Sequence, residues 1–244
     1  MSRQTVCLTI GGSDSCGGAG IQADLRVFAD LGLQACSAVT AWTAQSHHRI
    51  ARIEAASLAQ LDAELHIAFD DYDVLAVKTG MLLDVERIAV VSACLDVRHA
   101  DKPLVVDPVM VASSGRSLLE ASAVEALRAT LLQQASLWTP NLDEAAVCLG
   151  EAVQDVEQAA QALRDWSGCA LLLKGGHGSG DVLRDVLCDD SGQIHVFEHP
   201  RQAWDDRRAH GSGCRLASAI AGYVAQGLSM QEACQKSIDW VGRA

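Results

Sequence analysis

The run Ala209-His210-Gly211-Ser212-Gly213-Cys214 stands just ahead of a small-residue stretch, Leu216-Ala217-Ser218-Ala219-Ile220-Ala221-Gly222, that reads as a helix. Two glycines around a serine let the backbone approach a ligand closely. The helix start beyond them aims unpaired N–H groups at whatever lies there, which suits an anion and above all a phosphate. Gly211, Ser212 and Gly213 are therefore candidate anion-hole residues. Cys214 is a candidate catalytic group, its thiolate favoured by the helix dipole. The plainer alternative is a glycine-containing loop entering a buried helix.

Other clusters carry weaker signals of the same kind. Asp107 and Glu144 each follow a strand-like run, so their carboxylates can converge above one sheet edge and could hold Mg²⁺. Glu144 equally fits a capping box with Asn141 three residues before it. Lys174-Gly175-Gly176-His177 is a strand-end glycine turn with a cation that could meet a phosphate, or a tight turn with a solvated lysine. Asp24 and Gln45 could face one pocket, and either alone could be a solvated polar residue. Gly18-Ala19-Gly20-Ile21-Gln22-Ala23 matches a relaxed dinucleotide fingerprint, but the second strand ends Trp42-Thr43-Ala44-Gln45 with no acid to hold a ribose. No G-x-x-x-x-G-K-[ST] run exists, which sets a P-loop nucleotidase aside.

The elements that must position these residues alternate between strand and helix. Apolar patterns predict strands at about 6–10, 35–42, 74–78, 104–106, 136–138, 169–173, 182–188 and 194–197. Helical spacing falls at about 19–31, 58–69, 85–97, 121–132, from Asn141, 156–166, 214–226 and 230–241. Such alternation predicts an α/β fold with a parallel sheet covered on both faces, in one domain spanning 1–244. The polar and glycine clusters at 11–18, 78–80, 107–115, 140–144, 174–180 and 210–214 all follow strands, where such sheets bind ligands.

Bulk properties narrow the partners. The 244 residues are 49% hydrophobic and 20% charged, enough for a sizeable core. A net charge of −12 argues against nucleic acid or an anionic membrane, and an anionic substrate needs local Lys, Arg or a divalent cation. Nine cysteines with no C-x-x-C pair point to a reducing compartment rather than to disulfides or zinc. No apolar run approaches the roughly 18 residues of a membrane span. The expectation is a soluble cytoplasmic protein.

Taken together, the blocks are far more specific than their parts. The segment Gly11-Gly12-Ser13-Asp14-Ser15-Cys16-Gly17-Gly18-Ala19-Gly20-Ile21-Gln22-Ala23-Asp24 closely resembles the amino-terminal signature of the hydroxymethylpyrimidine/phosphomethylpyrimidine kinases of thiamine biosynthesis. Lys78-Thr79-Gly80-Met81-Leu82, Asp107-Pro108-Val109-Met110, Ser114-Gly115, Thr139-Pro140-Asn141 with Glu144, Lys174-Gly175-Gly176-His177 and His210–Cys214 follow in that family's order and spacing. The resemblance implies a ribokinase-like three-layer αβα fold, commonly a homodimer, that uses ATP and Mg²⁺. It implies that Gly12, Ala19, Asp24, Gln45, Met81 and Val109 line the aminopyrimidine site, with Asp24 and Gln45 bonding the ring edge. Asp107 and Glu144 would organise Mg²⁺. Lys174, Gly176, Asn141 and Arg215 would approach ATP, and Cys214 would be the base for the first of two successive transfers, to the alcohol and then to its monophosphate.

The departures are local. Arg207-Arg208-Ala209 and Arg215 flank the anion-hole run where the family usually has Asn-Thr before it and Thr or Ser after it. An arginine in a first helical turn opposes the dipole, so a bound phosphate or solvent exposure must account for Arg215. Thr43 stands where the family is usually apolar, and Gly242-Arg243-Ala244 lacks the family's Gly-x-Gly-Pro-x-His tail, an absence expected to weaken ATP binding. Two other readings stay open: a pyridoxal kinase, and a non-catalytic pyrimidine-binding regulator on a kinase fold.

Overall fold

The apolar run at 6–10 becomes the middle of strand β1 (Gln4–Asp14), buried continuously from Val6 to Gly12. A strand hidden on both faces belongs at the centre of a parallel sheet. In the computed structural model, which describes residues 3–98, 102–111, 118–176, 181–202 and 204–243, β1 is flanked by β2 (Ala35–Gln45) and β4 (Tyr72–Thr79), both parallel to it. The parallel sheet continues through β5 (Leu104–Val106), β6 (Leu137–Trp138) and β7 (Leu171–Leu173). Strands β8 (Val182–Cys188) and β9 (Ile194–Pro200) extend it antiparallel, and β3 (Ile50–Ala55) closes the other edge antiparallel to β2. The order is β3-β2-β1-β4-β5-β6-β7-β8-β9.

The period of two along each strand feeds two separate cores. Leu8, Ile10, Val106, Leu171 and Leu173 join helices α2 (Leu58–Asp71), α3 (Val85–Arg98), α4 (Ala121–Ala129), α5 (Leu142–Leu149) and α6 (Val156–Ser167) on one face. Cys7, Val105, Leu137 and Leu172 join α1 (Gly20–Asp30), α8 (Ser212–Ala225) and α9 (Met230–Arg243) on the other. A short helix, α7 (Asp206–Ala209), precedes α8. No helix among the described residues is long and apolar enough to cross a membrane.

Because β2 lies on one side of β1 and β4 on the other, the chain reverses direction across the sheet at β1. Ligands bind at such a switch point, beyond the carboxyl ends of the strands. Two elements differ from expectation for local reasons. Strand β3 was not legible because its side chains are mostly exposed and its apolar residues, Ile50 and Ile53, do not alternate. Helix α4 stops at Ala129 rather than near 132, because the Thr130 hydroxyl bonds back to the Ala126 carbonyl (2.6 Å) and the chain tightens into a 3-10 turn at Leu131–Gln133.

Candidate active site

Loops after β1, β4, β5, β6 and β7 meet the start of α8 at the switch point, and a chain of charges runs through them. Asp24 on α1 faces Lys78 near the end of β4, with Nζ 3.0 and 2.9 Å from the two carboxylate oxygens. Both side chains are 1% exposed. The Thr9 hydroxyl donates to Oδ2 (2.6 Å) and the Ser218 hydroxyl to Oδ1 (2.7 Å). The acceptors of Asp24 are thus spent inside the protein. This corrects the expectation that Asp24 bonds a ring edge: the carboxylate is turned inward and holds Lys78. Burial alone would depress the lysine, but the carboxylates of Asp24 and Asp107 reverse it and push the Lys78 ammonium above its ordinary range.

A second pair lies beside the first. Asp107, just past β5, receives Lys174 Nζ at 3.0 Å and the Thr139 hydroxyl at 3.3 Å. Burial pushes Asp107 up, yet the ammoniums of Lys174 and Lys78 outweigh it and hold the carboxyl below the usual range. Glu144 completes the row. Its carboxylate accepts the Asn141 N–H (2.9 Å) and the Met110 N–H (3.0 Å), while Asn141 Oδ1 accepts the Glu144 N–H (2.8 Å). The capping box is therefore real, and Asn141 is its N-cap. Burial, reinforced by Asp107, raises the Glu144 carboxyl against the pull of Lys174.

Cys214 sits between the two pairs. Burial is the main force on its thiol, Asp107 and Asp24 add to it, and Lys78 opposes it; the net result is a pKa pushed up to about 12. The thiolate expected from the helix dipole is therefore overturned, because desolvation and two carboxylates outweigh the end of one helix. The thiol instead stays protonated and donates toward Asp107. Gly211 is the N-cap of α8, with φ 75° and no side-chain cap, so the first N–H groups of the helix remain available to a ligand. A Cβ on Gly211 would collide with the Gly18 carbonyl, so only glycine lets this loop lie on the β1–α1 loop. Lys174 Nζ lies 3.2 Å from where a Cβ on Gly213 would stand. An ammonium and a helix N-terminus thus face one space, an arrangement that an anion relieves.

The remaining expected residues fall into two groups. Gly12, Met81 and Val109 come together: Gly12 lies against the Met81 side chain, and Met81 and Val109 share a small apolar cluster with Ala41, Ile50 and Leu118. Gln45 ends β2, accepts the Thr43 hydroxyl at Oε1 (3.1 Å) and places Nε2 3.2 Å from His210 Nε2. Ala19 donates its N–H to Asp14 Oδ2 (2.9 Å) at the start of α1. Arg215 and Gly176 make local bonds. The Arg215 guanidinium donates to the carbonyls of His210 (2.9 Å) and Arg208, so a first-turn arginine has local partners, and it also lines the cleft beside Cys16 and His47. The Gly176 carbonyl accepts Arg201 Nη1 (3.3 Å). His177, Ser114 and Gly115 lie outside the described residues, as does the side chain of Arg207.

Val109 holds a positive φ of 43°, unusual for a β-branched residue. Glu144 grips the next N–H, and the Met110 carbonyl accepts from Leu118 (2.9 Å) and Leu119 (3.3 Å). The strain is held by these bonds. Val109→Gly is therefore expected to unfold at higher denaturant than Val109→Ala, by about 1 kcal/mol, reversing the usual order of the two residues. Urea titration of both variants checks it; alanine proving the more stable would show that Val109 carries no strain.

Lys78 belongs to the candidate site as well, although the sequence alone assigns it no role. Its signal was a lysine closing the apolar run Val74-Leu75-Ala76-Val77.

Residues 14–244 match the family model described as phosphomethylpyrimidine kinase. A hydroxymethylpyrimidine/phosphomethylpyrimidine kinase of Rhizobium meliloti is 41% identical over 232 residues, covering 93% of this chain and 85% of the relative. The crystal structure of phosphomethylpyrimidine kinase from Clostridium difficile 630 superposes with a TM-score of 0.84 at 33% identity, over 99% of both chains. A pyridoxal kinase from Staphylococcus aureus, in complex with AMP-PCP and pyridoxal, superposes with a TM-score of 0.84 at 28% identity, over 99% of this chain and 87% of that one. The three-layer fold is thus the ribokinase-like one, and the chain belongs to the phosphomethylpyrimidine kinase family.

Proposed function

We propose that the protein is a kinase of thiamine biosynthesis that phosphorylates 4-amino-5-hydroxymethyl-2-methylpyrimidine with ATP and then phosphorylates the monophosphate. The observation that carries this reading is the convergence of Lys174 and the uncapped start of α8 on one space, with Asp107 and Cys214 at its edge. Phosphoryl transfer asks mainly for positioning and for donors aimed at the equatorial oxygens. The N–H groups from Gly211 to Cys214 and the Lys174 ammonium supply both.

The donor set also fits Mg²⁺. Two buried carboxylates, Asp107 and Glu144, raise each other's cost of ionisation, and one ammonium between them leaves an excess of negative charge on hard oxygen ligands. Bound there with ATP, the ion would neutralise charge on the phosphate oxygens. Gly12, Ala19, Met81 and Val109 line the ring site, and Gln45 reads the ring edge in the rigid way that rejects analogues lacking a partner. Asp24 is a positioning residue, acting through Lys78.

Cys214 acts as a relay. Its sulfur takes the alcohol proton as its own proton moves onto Asp107. A loose transition state postpones this transfer until the phosphoryl group has largely left ATP, so a poorly basic thiol suffices. A homodimer in the cytoplasm belongs to the same proposal.

A second reading, a pyridoxal kinase, is favoured by the match to pyridoxal kinase structures. Purified protein with MgATP should phosphorylate the pyrimidine alcohol and its monophosphate with higher kcat/KM than pyridoxal. Preference for pyridoxal would overturn the assignment of substrate. Binding of the pyrimidine with no turnover on any of the three would overturn the enzyme itself.

A further inference from the structure

Beside the His210 loop three electron-pair donors face one another, with the Asp14 carboxylate against two of them and Gln45 Nε2 3.2 Å from His210 Nε2. The Cys16 sulfur and ring nitrogens of His47 and His210 all lie within 4.8 Å. Cys16 Sγ is 4.0 Å from His47 Nδ1 and 3.3 Å from Asp14 Oδ2, and the same carboxylate oxygen is 3.0 Å from His210 Nε2. In a tetrahedral zinc site, with metal–sulfur near 2.3 Å and metal–nitrogen or –oxygen near 2.0–2.2 Å, neighbouring donors stand about 3.3–3.6 Å apart. These three separations bracket that range; the other pairs are wider, up to 4.8 Å among Cys16, His47 and His210 and beyond that between Asp14 and His47, so closing the set takes rotation of the half-buried Cys16 and His47 side chains by about an ångström or more.

The surroundings suit an ion as well. Asp14 is fixed by the N–H groups of Cys16 (3.0 Å, to Oδ1) and Ala19 (2.9 Å, to Oδ2), which orients a ligand from its second shell of bonds. Gly18 lies between the rings: a Cβ there would collide with His210 and stand 3.4 Å from His47 Cε1. Only a glycine leaves the space open. Cys16, Gly18 and His47 also line a cleft of about 610 Å³, which gives an ion a path from solvent. Arg26, Arg208 and Arg215 on the same cleft oppose a cation, and it is the thiolate with the carboxylate, close to the ion, that offsets its two charges.

We propose that Asp14, Cys16, His47 and His210 form a tetrahedral site for a divalent transition ion of borderline softness, zinc above all. One thiolate, two imidazoles and one carboxylate are ligands that suit zinc, whereas Mg²⁺ takes oxygen. On binding, the Cys16 thiol loses its proton to solvent and the sulfur lone pair forms the metal bond. The ion pins three segments together: the β1–α1 loop, the chain just beyond β2, and the loop ahead of α8.

Cobalt titration of the full chain, first freed of metal with a chelator, tests this. The expected result is one equivalent bound, with a thiolate-to-cobalt charge-transfer band and the visible bands of tetrahedral cobalt, all displaced by zinc. Cys16→Ser should abolish the charge-transfer band, and His47→Ala should weaken affinity about 10–100-fold. Zinc should also slow hydrogen exchange at 14–18 and 209–214 in the wild type. Absence of stoichiometric binding, or a charge-transfer band that survives Cys16→Ser, overturns the site. If Cys16→Ser does not fold, the half-buried His47→Ala decides, and unchanged affinity there also overturns it.

Discussion

Cys214→Ala is expected to slow transfer to the pyrimidine alcohol by about 10²–10⁴-fold and transfer to the monophosphate by no more than about tenfold. The alcohol must shed a proton; the monophosphate attacks through an oxygen that is already an anion. The same thiol therefore matters to one reaction and hardly to the other, although both use the same N–H groups and the same lysine. The raised thiol sharpens the test. Burial pushes the thiol up to about 12, so Cys214 carries its proton at neutral pH. A pre-formed thiolate base would make the first rate climb tenfold per pH unit well above neutrality. The relay through Asp107 predicts a rate nearly flat between about pH 7 and 9. Single-turnover measurements on each substrate separate the cases, and equal losses in both steps would remove Cys214 from proton transfer.

Lys78→Met is expected to destabilise the fold by about 3–5 kcal/mol, because it strands Asp24 as a buried charge with only hydroxyl partners. The sign of the remedy distinguishes this from loss of packing. Adding Asp24→Asn to Lys78→Met removes the stranded charge and should recover more than half of the loss, giving a large interaction energy in a double-mutant cycle. Urea unfolding of the two single variants and the double variant measures it. Additive losses would mean that the two side chains contribute separately, and that Asp24 does not act through Lys78.

Sequence reading reached the loops but not their internal wiring. Glycine turns after β1, β4, β5 and β7, the capping box at Asn141 and the start of α8 are local signals, carried by a few adjacent residues and by backbone chemistry that each segment brings with it. The inward turn of Asp24 is not legible because its partners come from β1, β4 and α8, three elements distant in the chain. The state of Cys214 was misread for a similar reason: dipoles are visible in a helix start, whereas desolvation by neighbouring loops is not. The carbonyl partners of Arg215 are not legible either, since nothing in a sequence shows a side chain folding back onto carbonyls before it. Strand β3 escaped because an exposed edge strand carries no apolar period.

The close seating of Gly211 on Gly18 bears on how the protein is made. On the ribosome, β1, α1 and β4 emerge early and can assemble Asp24 with Lys78, yet the site at that stage has no floor. The anion hole, the hydroxyl of Ser218 and the middle of the cover over one side of the sheet, between α1 and α9, all arrive with a single late helix. The site is thus completed only when α8 docks, and a fragment ending before residue 211 contains strands β1 to β9 while lacking the groups that would hold a phosphate.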